Sequence, residues 1–316
     1  MHRVLQNAPL VGVLAIALAI SGPADAAIQL LTPAGQGMHR MFSTPRVRHR
    51  STTSTAAPSA SSSPASSAAP SPAGSPAVAA DDVVALSHPN SGAASPADHP
   101  VSTPLNGVGT VGALFNDDGD GDHFCTASVI SSPHGNLLVT AAHCIHGGRD
   151  GGYRSDLAFV PGYHDGVRPY GTWSITAAFV DPQWADSSDP DLDVGFLTVA
   201  PRQGRQIADV VGANRLLTSQ GFANIVTVVG YPAEQETPIA CTNHTVMHSP
   251  SQLRFDCAGY SGGTSGGPWL ANYDPQTGTG DVIGVIGGYE KGGDTDDVSY
   301  TAYFDAAVQQ LYAQAR

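Results

Sequence analysis

The sequence predicts an all-β protein beginning near residue 105, and two observations carry that prediction. Short runs rich in Val, Ile, Thr and aromatic residues recur, and clusters of Gly, Pro, Asn or Asp bound them. No long helical pattern separates these runs, so they are expected to pair into a sandwich or barrels. Most of the 36 glycines fall in the same region, where an all-β fold needs many tight turns.

The chain before that point reads differently. Residues 1–26 resemble a signal peptide: His2 and Arg3 form a weakly basic start, residues 10–20 are apolar and uncharged, and Ala24-Asp25-Ala26 offers small residues where a signal peptidase reads. The apolar run is about half of the ~20 residues that span a bilayer, so export with cleavage is expected, to a secreted, extracellular location. Residues 27–104 are expected to be a disordered pro-segment or linker. Residues 51–80 are almost entirely Ser, Thr, Ala and Pro, which bury too little apolar surface to offset their ordering entropy. Four arginines lie within residues 40–50, either as a processing site or as a solvated basic patch.

From residue 105 onward, strands are expected at 109–115, 124–130, 137–141, 157–161, 172–180, 194–199, 225–230, 252–256, 282–287 and 299–304. One helix closes the chain: Asp305 can cap it, and Val308, Leu311 and Tyr312 share one face. This region holds 9 Lys/Arg against 23 Asp/Glu, within a total charge of −13. Such an acidic surface repels phosphate backbones, so nucleic acid is not an expected partner. The four cysteines, Cys125, Cys144, Cys241 and Cys257, are even in number and lack a C-x-x-C pair, which in an exported chain means disulfides. The sequential pairing is expected, although four cysteines allow three connectivities.

Three segments carry chemistry. Thr140-Ala141-Ala142-His143-Cys144 ends an apolar strand and places a histidine where a cleft can expose it. In residues 262–268, glycines surround Ser265 and let the backbone turn sharply. A serine is a weak nucleophile until a base takes its proton, and the amides of Gly263 and Ser265 would form an oxyanion hole, each contributing roughly 3–4 kcal/mol to transition-state stabilisation. In residues 191–197, Asp193 abuts an apolar strand and can orient His143, whereas Asp191 and Asp189 read as solvent-facing loop acids. The order His, Asp, Ser is that of the chymotrypsin type and not that of subtilisins or α/β-hydrolases.

T-A-A-H-C, D-V-G-F-L and G-T-S-G-G-P resemble the active-site blocks of secreted bacterial trypsin-like serine peptidases, with features near the glutamyl endopeptidase branch. The resemblance covers residues 105–316. It implies two six-stranded antiparallel β-barrels, about 105–204 and 205–316, with the active site between them and a C-terminal helix. It implies His143, Asp193 and Ser265 as the catalytic residues of a serine-type endopeptidase, and a Cys125–Cys144 disulfide beside the histidine. It further implies substrate binding at Gly259, Tyr260, Gly287, Gly288 and Tyr289, with residues 283–288 resembling a strand that pairs with the substrate backbone. The alternative is a catalytically silent relative that binds a partner outside the cell.

The sequence departs from that pattern in two ways. Thr264 stands where animal trypsin-like enzymes have the Asp that pairs with a new N-terminus. Gly259 stands where trypsins have an acid that reads basic side chains, and no histidine lies on the 282–288 segment, where the glutamyl branch has one. Glu290, Asp294, Asp296 and Asp297 follow that segment and read either as a solvated acidic loop or as a preference for basic substrate residues. The run Asp117-Asp118-Gly119-Asp120-Gly121-Asp122 invites a calcium reading, but Val129 stands where a bidentate Glu would fall, so a solvated hairpin loop is expected. No metal or cofactor is expected. The expected partners are polypeptide substrates, with no membrane after signal cleavage, and the expected state is a monomer.

Overall fold

The computed structural model describes residues 27–30 as backbone, and residues 100–116 and 122–316 in full. The expected signal peptide, the basic cluster at 40–50 and residues 117–121 of the acidic loop lie outside the described residues. The strands are β1 (Ala27–Leu30), β2 (Thr103–Pro104), β3 (Val111–Phe115), β4 (His123–Ile130), β5 (Leu137–Thr140), β6 (Ala158–Pro161), β7 (Trp173–Val180), β8 (Gly195–Val199), β9 (Arg215–Leu216), β10 (Ile225–Gly230), β11 (Ile239–Ser249), β12 (Gln252–Asp256), β13 (Pro268–Asp274), β14 (Thr279–Val285) and β15 (Val298–Ala302). Among the described residues three α-helices accompany them: α1 (Pro182–Ser187), α2 (Ile207–Val211) and α3 (Ala306–Ala315).

The first sheet closes on itself. β3 pairs with β4, β4 with β5, β5 with β8, β8 with β7, β7 with β6, and β6 returns to β3, all antiparallel. The register sets Val139 opposite Phe196, and Phe196 opposite Phe179. Val, Ile and aromatic side chains suit such a pleated, buried surface. β1 adds to the free edge of the second half of β7, with Ala27 opposite Val180.

The second sheet runs β15-β12-β11-β10-β13-β14-β9, with β2 on the side of β11. It is curled, but its ladder does not close into the expected second six-stranded barrel. Between β14 and β15 the Val285 N–H donates to the Thr301 side-chain oxygen at 2.9 Å instead of a carbonyl. Just past β14, Gly287 N–H donates to Tyr300 O at 3.0 Å.

The segment read as a linker therefore contributes two strands. Beside β2, the chain forms a strap along the second sheet. Ala258 N–H donates to Pro100 O and Ser102 N–H donates to Ala258 O, each at 2.9 Å, and Leu105 N–H donates to Pro238 O at 2.8 Å. β1 and this strap both satisfy backbone groups at an otherwise open sheet edge.

One core lies between the sheets. Val139 and Phe196 from the first meet Val229, Leu270 and Val282 from the second, and Val308 and Leu311 of α3 complete the cluster. Burying each such side chain contributes about 1.5–3 kcal/mol. Asp305 caps α3 as expected, accepting from the N–H groups of Ala307 and Val308. Each sheet also has its own interior, around Trp173 and Phe159 in the first and around Trp269 and Phe255 in the second.

Candidate active site

The site lies on the seam between the sheets. After β5 the chain enters a 3-10 turn, Ala142–Cys144. Ala141, Ala142 and Cys144 are fully buried and fix the turn, while the His143 side chain keeps 16% of its surface exposed. Cys144 is bonded to Cys125 on β4, and Cys241 to Cys257, as the sequential pairing predicts.

Asp193 comes from a second 3-10 turn, Pro190–Leu192. Pro190 opens it and the Asp189 side chain caps it by accepting from Asp191 N–H. The Asp193 carboxylate is wholly buried. It accepts from His143 Nδ1 at 2.7 Å, from His143 N–H at 2.8 Å and from Gly288 N–H at 2.9 Å. A buried carboxylate persists only when its lone pairs are taken up in this way. The Nδ1 contact assigns the proton to that nitrogen, which leaves Nε2 as the acceptor. Asp191 does not face solvent as expected. It accepts from Ser251 Oγ at 2.6 Å and from Gln252 Nε2 at 2.7 Å.

Ser265 comes from the second sheet, between β12 and β13, and its loop is wedged against the first. Its carbonyl accepts from Thr126 N–H at 2.7 Å and lies 3.6 Å from Cys144 Sγ, next to the turn that bears His143. Gly266 has φ +80°, and a Cβ there would overlap Thr140 Oγ1 and Thr126 O, so only glycine fits. Gly263, at φ +97°, approaches Tyr231 O and Ala233 N just as closely. The Thr264, Gly266 and Gly267 amides donate to Ser261 O, Ile286 O and Thr264 O. The amides of Gly263 and Ser265 have no protein acceptor among the described residues. Two neighbouring free N–H groups are what a developing oxyanion needs.

Sequence reasoning missed Thr126. Its hydroxyl donates to Gly263 O at 3.1 Å and accepts from Tyr231 N–H at 2.9 Å, and its carbonyl accepts from Thr140 Oγ1 at 2.7 Å. All its polar groups are used, and counting the N–H bond to Ser265 O, three of its bonds cross to the second sheet. Gln252 was missed as well. Buried beside Asp191, it donates to Pro190 O at 3.0 Å and accepts from Tyr289 N–H at 3.2 Å, tying the Asp193 turn to the segment after β14. Only adjacency to Cys125 marks Thr126 in the sequence, and nothing marks Gln252.

The expected substrate-binding residues divide. Tyr260 is a core residue, with its ring against Phe255 and its hydroxyl donating to Val228 O at 2.8 Å. Gly259, at φ +108°, lies beside it, and the amides of both donate to Asp296 O. The expected substrate-pairing strand ends early, at Val285. Gly287 packs on Asp193, and Gly288 turns at φ +81° and gives its amide to Asp193. Tyr289 begins a 3-10 turn, Tyr289–Gly292, and its ring stands against His248 and Tyr300. The four acids near this turn, Glu290, Asp294, Asp296 and Asp297, are exposed.

Residues 125–285 match the trypsin-like peptidase domain family, which is half of the chain. The chain belongs to that family. Among curated proteins, this trypsin-like peptidase chain is similar to an extracellular metalloprotease of Bacillus subtilis (strain 168), 26% identical over 166 residues, 52% of this chain and 51% of the relative. The chain thus spans about half the length of that relative. Among solved structures, the protease Anisep of Arthrobacter nicotinovorans is 26% identical, with TM-score 0.60, covering 68% of this chain and 99% of that one. The thermostable serine protease AL20 of an extremophilic microorganism is 25% identical, with TM-score 0.57, covering 65% and 97%. A Glu endopeptidase shares the fold at 16% identity and TM-score 0.56, covering 69% and 99%.

The name of the Bacillus relative raises the question of a metal ion in this trypsin-like domain. Among the described residues, one group of His, Cys and acid atoms is close enough to hold a cation: Cys125, His143 and Cys144. The two cysteines are bonded to each other and offer no thiolate, and His143 Nδ1 is committed to Asp193. This donor set does not fit a metal. No helix among the described residues is long and apolar enough to cross a membrane.

Proposed function

We propose that this trypsin-like peptidase is a secreted serine endopeptidase that cleaves polypeptides through an acyl-enzyme on Ser265. The buried Asp193 carboxylate that accepts from His143 Nδ1 at 2.7 Å carries the reading. It holds the imidazole in the tautomer whose Nε2 can take a proton. In the proposed cycle, Ser265 Oγ attacks the scissile carbonyl as its proton passes to His143 Nε2. The oxyanion forms against the free amides of Gly263 and Ser265. His143 then gives the proton to the leaving amine, and water, activated by the same imidazole, releases the acid. The chain works without cofactor or nucleic acid and as a monomer.

Thr264, buried and bonded through its hydroxyl to Ser261 O at 2.7 Å, stands where an acid would receive a new N-terminus. Activation through such an ion pair has no partner here, so the oxyanion loop is set by the fold itself. The test is hydrolysis of a fluorogenic peptide mixture by the secreted protein and by Ser265→Ala. Loss of at least about 10³-fold in kcat is expected, together with labelling of the unsubstituted protein by an organophosphonate at Ser265. Activity that survives Ser265→Ala, or a folded protein that resists the probe, overturns the reading.

A further inference from the structure

A cavity of about 400 Å³ opens on one flank of His143, and two cations line it. Gly288, Trp184, Arg154, Glu290 and Lys291 line it together with His143. None of the residues at 262–267 contributes to it, so it lies away from the amides that would hold the reacting carbonyl. A substrate side chain lodged there belongs to a residue near the cleaved bond and not to the one whose carbonyl is attacked.

The charges around this cavity are unbalanced. Neither Arg154 nor Lys291 has a carboxylate within ion-pair distance among the described residues. Arg154 stands over the Phe124 ring at 5.0 Å, a cation–π contact that holds its stem without neutralising it. Glu290 lines the same cavity but lies within ion-pair distance of neither cation. The nearest buried carboxylate, Asp193, is fully used by His143 and Gly288. Two cations without an ion-pair partner and a single acid, Glu290, therefore line one concavity in a chain of net charge −13.

The backbone is unusual at the same place. Glu290 and Lys291 are consecutive side-chain-bearing residues in the left-handed region, at φ 52° and 54°. Such conformations are unfavourable outside glycine and cluster at ligand-contacting segments.

We propose that this cavity is a subsite for an acidic side chain of the polypeptide substrate, held between Arg154 and Lys291 at a position near the cleaved bond. The proposal rests on the peptidase reading above and adds a substrate class to it. It runs against the preference for basic residues that the exposed acids after β14 suggest. The attraction is electrostatic, so it weakens with salt.

The test uses the secreted protein and peptides in which each of three positions on either side of the cleaved bond carries Glu, Gln or Lys in turn. At one position other than the residue supplying the attacked carbonyl, Glu should be cleaved about tenfold more efficiently than Gln, with Lys poorer than both. This ratio should shrink in 0.5 M salt. Arg154→Gln and Lys291→Gln should each lower it, and the double charge reversal Arg154→Glu with Lys291→Glu should invert it toward Lys. The Glu-to-Gln ratio is read within each variant, so any general loss of activity cancels, and thermal melts show that each variant folds. Equal cleavage of Glu and Gln at every such position overturns the proposal, as does a Glu preference that survives both neutralisations. A wild-type protein that cleaves none of the peptides and resists the organophosphonate overturns the peptidase reading instead.

Discussion

Replacing Thr126 by valine keeps the side chain's shape and removes only its hydroxyl. That leaves Tyr231 N–H and Gly263 O buried without the partners they have at 2.9 and 3.1 Å. Each orphaned group costs about 1–3 kcal/mol, so a loss of about 2–6 kcal/mol in stability is expected. Thr126 N–H still donates to Ser265 O, so that side of the loop stays anchored. The Gly263 side loosens, and loss of a whole oxyanion donor costs roughly 10²–10³ in kcat. A partial loss of aim should therefore reduce kcat by about 10- to 100-fold with KM little changed. Thr126→Ser keeps the hydroxyl and should recover kcat to within about threefold. The assay is steady-state hydrolysis of one peptide well below each variant's melting temperature, with the melting temperature measured in parallel. If Thr126→Val melts earlier yet keeps wild-type kcat, the residue supports the fold without aiming the amides, and the reasoning fails.

Three other substitutions probe the same architecture. Asp193→Asn cannot accept from all three donors that now reach the carboxylate, and kcat should fall by roughly 10⁴; a loss below tenfold would mean that His143 is oriented by something else. Gly266→Ala places a Cβ against Thr140 Oγ1 and Thr126 O at φ +80°, so a strain of about 1–2 kcal/mol from the backbone alone plus the overlap should abolish cleavage, and a fully active variant would contradict the loop geometry. His123 bears on pH. Burial holds its pKa below 6.5, its Nε2 contacts Gln235 O at 3.0 Å, and its Nδ1 has no partner, so the fold binds the neutral ring. The unfolded chain takes up the proton first, so stability should begin to fall as pH drops below about 6.5 and go on falling until pH passes the depressed native value. His123→Gln should flatten part of that slope in melts between pH 7.5 and 5; an identical slope would show that other groups set it.

What was legible in the sequence is what local chemistry decides. The runs at 225–230 and 252–256 matched their strands to the residue, because a Val/Ile-rich run in the first, alternating Leu253 and Phe255 in the second, and flanking turn residues define them. β11 was not read as a strand, since Thr242, Asn243, His244 and His248 give it no clear alternation, and its pairing with β10 and β12 supplies what its own residues lack. β13 was masked by the glycines before it. The His143 and Asp193 partnership was legible because each sits at the end of an apolar strand. Thr126 and Gln252 were not, because their partners lie 137 and 62 residues away. Tyr260 was misread for a related reason. Its burial is decided by Phe255 and Val228 O, and proximity to Ser265 in sequence says nothing of which way the ring points.

The strap at residues 100–105 sets a limit on how the enzyme can be trimmed. Ala258, which it brackets with two hydrogen bonds, is joined directly to Cys257 and to the loop that leads to Ser265. Any protease that shortens the chain from its beginning can cut ahead of Pro100 without touching those bonds, but a cut a few residues later removes them. Shortening from the N-terminal side thus meets a boundary drawn by the second sheet itself. A family of truncations starting between residues 95 and 106 would find that boundary as a step, with activity and melting temperature falling together once Pro100 is gone.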